Sequence, residues 1–96
     1  MKVTIADLER KINLLNEVTN NPEKPYGDGY VMENGAKRLR INVGNYHLAG
    51  AYGGYELHQM SKRGGVRDVF NSGYVTKIEL YYRISAYIQG IETGRN

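Results

Sequence analysis

The side chains in this sequence best suited to chemistry are cations, and they are unevenly placed. Residues 34–77 carry Lys37, Arg38, Arg40, Lys62, Arg63, Arg67 and Lys77 against only Glu56 and Asp68, a net of +5, whereas the whole chain is only +3. A local positive excess suits an anionic partner, whether a nucleotide, a nucleic acid or an acidic protein surface. Arg63-Gly64-Gly65, with Lys62 and Arg67 beside it, could offer backbone N–H groups to phosphate, as could a helix start at Lys77. No P-loop or dinucleotide fingerprint accompanies it, and a plain hairpin turn accounts for it better. His47 and His58 would need a third ligand to hold a metal, and Glu56 is the only acid near them. Cysteine is absent, which removes disulfides, thiolate clusters and cysteine nucleophiles together. No Ser-His-Asp set and no acid pair for proton transfer can be assembled. The expectation is a protein that is not an enzyme and uses neither metal nor cofactor.

The elements that must position these groups follow from periodicity. Ile5, Leu8, Ile12, Leu15 and Val18 recur at spacings of three and four, which predicts a helix capped by Thr4 with Asp7 and closed by Asn20-Asn21-Pro22. Pro22 through Gly29 reads as a connector. From Tyr30 to Phe70 the period is two, with turn signals at Asn34-Gly35, Gly44-Asn45, Gly53-Gly54 and Arg63-Gly64-Gly65. Thr76-Lys77-Ile78-Glu79 is a capping-box sequence that opens a second helix, with Leu80, Ile84, Tyr87, Ile88 and Ile91 on its buried stripe. At 96 residues the chain is one domain, 1–96. Its fold class is α+β: an N-terminal helix, an antiparallel meander of three to five strands and a C-terminal helix, both helices on one face of the sheet.

Two-residue turns fix register. With turns at Gly44-Asn45 and Gly53-Gly54, the core face holds Leu39, Ile41, Val43, Tyr46, Leu48, Tyr52, Tyr55 and Leu57. The opposite, open face then holds the rows Arg38–Ala51–Glu56, Arg40–Ala49–His58 and Asn42–His47–Met60. Ala49 and Ala51 would form a shallow floor bordered by Arg38, Arg40 and His58, and Lys62, Arg63, Arg67 and Lys77 would add charge nearby. Here His47 and His58 share a face without being opposite one another. Tyrosine supplies 9 of the 10 aromatics, so the tyrosines divide by role. Tyr46, Tyr52, Tyr55 and Tyr87 fall on core stripes, while Tyr26, Tyr30, Tyr74, Tyr81 and Tyr82 lie off them and could stack a base or anchor a protein.

The runs Gly44-Asn45-Tyr46-His47-Leu48-Ala49-Gly50-Ala51-Tyr52-Gly53-Gly54-Tyr55-Glu56-Leu57 and Gly64-Gly65-Val66-Arg67-Asp68-Val69-Phe70 carry a family likeness. With Gly73-Tyr74 and Thr76-Lys77-Ile78-Glu79-Leu80, they resemble a family of small proteins encoded by bacteriophages and prophages. That resemblance implies an accessory protein acting inside a bacterial cell, of the inhibitor or sequestering kind, and it implies no catalytic residues. The order of helix, three-stranded meander and helix is also similar to the double-stranded RNA-binding domain. That domain places basic residues at the start of its last helix, where this chain has only Lys77 before Glu79.

The sequence thus predicts a phage accessory protein that counters host defence by sequestering an anionic small molecule, such as a nucleotide-type signal, or by blocking a host protein. The alternatives are a nucleic-acid-binding module and a protein–protein inhibitor acting as a homo-oligomer through edge strands and exposed tyrosines. No stretch approaches the roughly 20 apolar residues of a membrane span and Met1–Ala6 lacks a secretory apolar run. The expected place is the host cytoplasm, with no membrane partner.

Overall fold

Two threonines start the two helices. A computed structural model describes residues 2–62 and 65–95. Helix α1 (Ile5–Val18) opens with a full capping box: Thr4 Oγ1 accepts from the Asp7 N–H (3.1 Å), and the Asp7 carboxylate accepts from the Thr4 N–H (2.8 Å). Those bonds, the Thr4 N–H first, hold the Asp7 carboxyl below its ordinary range. The helix closes where Asn20 takes the left-handed conformation (φ 57°), a common C-terminal cap for asparagine. Helix α2 (Lys77–Gly94) has Thr76 Oγ1 accepting from the Glu79 N–H (3.2 Å). The Glu79 carboxylate reaches forward to Arg83 (3.1 Å) rather than back to Thr76, so only half of that capping box forms.

Strands β3 (Tyr46–Ala51), β4 (Gly54–Met60) and β5 (Val66–Asp68) form an antiparallel sheet in the order β3-β4-β5. Helix α1 packs on β3 and α2 on β4, and the helices pack on each other. Leu8, Ile12 and Leu15 from α1, Tyr46 and Leu57 from the sheet, and Leu80, Ile84 and Ile88 from α2 are buried together. Each fully buried aliphatic side chain contributes about 1.5–3 kcal/mol by leaving water. The Tyr46 hydroxyl meets that of Tyr87 at 3.1 Å. Burial first, then Tyr87, pushes the Tyr46 pKa up to about 12.

Strands β1 (Tyr26–Glu33) and β2 (Ala36–Ile41) make a separate two-stranded sheet around the Asn34-Gly35 turn, where φ is 51° and 79°. The chain is therefore α+β, with five strands among the described residues, divided into sheets of two and three. The meander is not continuous, and the expected pairing of β2 with β3 around Gly44-Asn45 is corrected. The supposed connector also ends early, since Tyr26 already pairs with Ile41. Among the described residues this hairpin packs extensively against no other element and stands out as an arm. The radius of gyration, 14.5 Å, exceeds the roughly 12.5 Å of a compact chain this long. Leu39 and Val43, expected in the core, are 46% and 50% exposed.

Asparagine side chains explain the division. Asn16 on α1, completely buried, donates from Nδ2 to the Tyr46 carbonyl (2.9 Å) and accepts the Tyr46 N–H at Oδ1 (2.8 Å). These are the outward-pointing backbone groups that β2 would have needed, so the first pairing position on β3 is already taken. Asn42 instead ties the end of β2 to the start of β1, through its N–H to the Pro25 carbonyl (3.0 Å) and its Nδ2 to the Lys24 carbonyl (3.0 Å). Asn45 Nδ2 donates to the Pro22 carbonyl (2.8 Å) and fastens the crossing segment to the body. Gly44 sits at φ 95°, and a Cβ there would overlap Asn21 Oδ1, so this glycine serves a close approach rather than a hairpin.

Asn16→Leu should therefore be among the most damaging single changes in the chain. It strands a buried N–H and a buried C=O, at about 2–4 kcal/mol together, and should lower Tm by on the order of 10 °C or more. An unchanged Tm in differential scanning calorimetry would show that the Asn16 bonds do not hold the edge.

Candidate functional site

The face of β3-β4-β5 turned away from the helices holds a polar cluster whose register differs from the expected one. The turn joining β3 and β4 is Tyr52-Gly53, with φ of 53° and 73°, so Ala51 pairs with Gly54 and every row shifts by two residues. Side chains keep their faces under a two-residue shift but change neighbours. Ala49 lies opposite Glu56 and His47 opposite His58, and His58 is in turn opposite Asp68. His47, His58 and Asp68 thus make one row across three strands.

Within that cluster, His58 Nε2–H donates to Glu56 Oε1 at 2.7 Å, with side chains only 17% and 10% exposed. His47 Nδ1–H donates to Asn45 Oδ1 (3.1 Å). The Asn45 orientation is set by its Nδ2 bond to Pro22, so the proton of neutral His47 belongs on Nδ1. The two imidazoles meet edge to face, with centroids 5.8 Å apart. Burial, then the neighbouring His58, lowers the His47 pKa below its ordinary 6.5. Asp68 Oδ2 accepts from the Gly73 N–H (3.1 Å), while Oδ1 is buried without a hydrogen-bond partner among the described residues. Among those residues no three His, Asp or Glu side chains are arranged to share a metal ion.

This face is less open than alternation alone implies. Glu56 is 8% and Met60 2% exposed. After β5 the chain bulges outward and returns to pair Val75 with Tyr55, which lays Tyr74 over the end of β4. Gly54 is required beneath it, because a Cβ there would sit 2.9 Å from the Tyr74 Cβ. Desolvation, then the Glu56 carboxylate, raises the Tyr74 pKa.

The cations expected around Ala49 and Ala51 are not gathered there. Arg38 and Arg40 lie on β2 in the arm, Arg38 facing Glu33 at 4.0 Å. Lys62 is exposed in the turn after β4 and Arg63 lies outside the described residues. Arg67 donates from Nε to Gln59 Oε1 (3.0 Å) in the row that includes Tyr46, which is the helix-facing side. Lys77 is the first residue of α2. Of the expected set, among the described residues only Ala49, Ala51 and His58 share the face, with Glu56, Asp68 and His47 as their polar company. Burial of Asn16 at the edge of β3 is what keeps Arg38 and Arg40 away.

Tyr52 is the site residue that alternation misplaced. Counted on the core stripe, it stands at the turn, 96% exposed, with its ring edge-to-face on Tyr74 (centroids 5.7 Å). A bulky residue at positive φ is an outlier. The usable signal was the tyrosine directly before Gly53, in the place where a tight hairpin favours asparagine. Compared with models of known families, with curated proteins and with solved structures, the chain matches none.

The lowered His47 pKa carries a sign. The unfolded chain takes up the proton first as pH falls, so this contribution to stability is intact above about pH 6.5 and is lost as pH drops toward the folded value. Tm should fall between about pH 7.5 and about pH 5.5, and fall less in His47→Gln. Equal slopes in thermal melts of the two proteins would remove His47 as the cause.

Proposed function

We propose that this chain is a non-catalytic accessory protein that works by contact with another protein, gripping it at the Tyr52–Tyr74 end of the sheet. Tyr52 carries the proposal. Left-handed backbone costs a bulky residue about 1–2 kcal/mol, which asparagine or glycine would avoid, and the ring held there is 96% exposed. Displayed in that way it adds nothing to the core, whereas exposed tyrosines are among the side chains that anchor protein interfaces. Tyr74 braces it, and the small side chains of Ala49 and Ala51 leave room beside the pair. A protein fits better than a phosphate-bearing ligand because the cluster includes the carboxylates of Glu56 and Asp68, while Arg38, Arg40 and Arg67 are directed elsewhere. The resemblance to phage and prophage proteins supports a setting in the bacterial cytoplasm, with a host protein as the blocked partner. No helix among the described residues is long and apolar enough to cross a membrane.

Tyr52→Asn separates contact from stability. Asn-Gly is the preferred pair for this turn, and strain relief exceeds the loss of one exposed ring pair by about 0.5 kcal/mol. Tm should rise by about 2–4 °C, while co-purification of the host partner from bacterial cells is lost. A thermal-shift panel of nucleotides, cyclic dinucleotides and short DNA or RNA supplies the counter-test. A shift of several degrees with one class, kept in Tyr52→Asn, would replace protein contact with anion capture.

A further inference from the structure

The arm and the flank of α1 complement one another, and neither is covered by another element among the described residues. On one face of the arm, Tyr26, Tyr30, Met32 and Leu39 are 45%, 63%, 67% and 46% exposed. Lys37 lies among them, 5.9 Å from the Tyr30 ring. A two-stranded hairpin is marginal alone in water, and one showing this much apolar surface calls for a cover. Across the body, a groove of about 270 Å³ runs between α1 and the free edge of β3, lined by Glu9, Ile12, Asn13, Glu23, His47 and Leu48 together with buried Tyr46. Asn16 occupies the edge at Tyr46; beyond it the outward N–H and C=O of Leu48 and Gly50 face no strand among the described residues.

We propose that the arm of a second copy of this chain lies in that groove, so that two copies exchange arms around a two-fold axis. Three observations favour a second copy over another occupant. The charges match, because Lys37 travels with the apolar face and the groove offers Glu9 and Glu23. The two halves are contiguous: Glu23 is three residues before the first residue of β1, so each groove begins beside the base of its own arm. In an isologous pair the arms then lie antiparallel, each reaching the other's groove. The size is also adequate. At roughly 200 Å² per large side chain, those exposures leave about 400 Å² of apolar surface per arm. Two arms bring about 800 Å² of apolar surface to the contact, half of a standard interface before the surface that covers them is counted. The arm's edge and the β3 edge both have unpaired backbone groups, so the docking is strand addition, with main-chain bonds supplying affinity and the charges selecting the partner.

The test is a charge exchange followed by sedimentation velocity and light scattering on the full chain. Wild type should have about twice the 10.9 kDa chain mass at micromolar concentration. Glu9→Lys with Glu23→Lys, and separately Lys37→Glu, should each weaken self-association by roughly tenfold or more. All three positions are exposed, so melting curves should stay near wild type. Mixing the two variants restores opposite charges at both contacts and should recover the dimer. A wild-type monomer at every concentration, or variants that dimerise as well as wild type, overturns the proposal. Neither result touches the Tyr52 experiment, because the groove does not include the Tyr52–Tyr74 end of the sheet.

Discussion

One buried side chain decides the layout of this molecule. Asn16 lies in the interior of α1, where asparagine is a mediocre helix former, and it is sealed completely from water. It is tolerated because both of its polar atoms are bonded: Nδ2 donates to the Tyr46 C=O and Oδ1 accepts the Tyr46 N–H. A helix side chain thereby substitutes for a neighbouring strand at the start of β3. That bond pair orients α1 on the sheet, places Tyr46 over Tyr87 in the core and turns the preceding strand outward. The arm and the free edge beyond Tyr46 both follow from the same contact.

Much of the fold could be read from local pattern. Thr4 with Asp7 and Thr76 with Glu79 mark helix starts through bonds spanning three residues, and the structure forms them. The apolar stripes of both helices and the alternation in β3 and β4 predicted which faces are buried. Strand partnership was not legible. Asn34-Gly35 and Gly44-Asn45 are both competent turn sequences, and nothing within ten residues of either shows that only the first closes a hairpin. The deciding group is 30 positions from Tyr46, and periodicity carries no information at that distance.

The site was legible by face and misread by neighbourhood. Ala49, Ala51, Glu56 and His58 were assigned to the right side of the sheet, because a two-residue register shift preserves side. The same shift moved His47 from a diagonal to a direct position opposite His58. Arg38 and Arg40 were lost to the site altogether when β2 left the sheet. Tyr52 was missed for a related reason: strict alternation continues a strand through a residue that the backbone has already turned. What remains on the face is a hydrogen-bonded Glu56–His58 pair roofed by Tyr74, a rigid base for the one strained and exposed ring.

The attachment of the arm has an evolutionary consequence. Its base is held by Asn42 and Asn45 against the carbonyls of Lys24, Pro22 and Pro25, and main-chain oxygens are present whatever side chains those positions carry. Strands β1 and β2 donate no residue to the buried cluster of the body. The ribbon is therefore a socketed module. Its outer residues take no part in the core, and a lineage could trade one hairpin for another, altering what the molecule recognises while its helices and three-stranded sheet stay as they are.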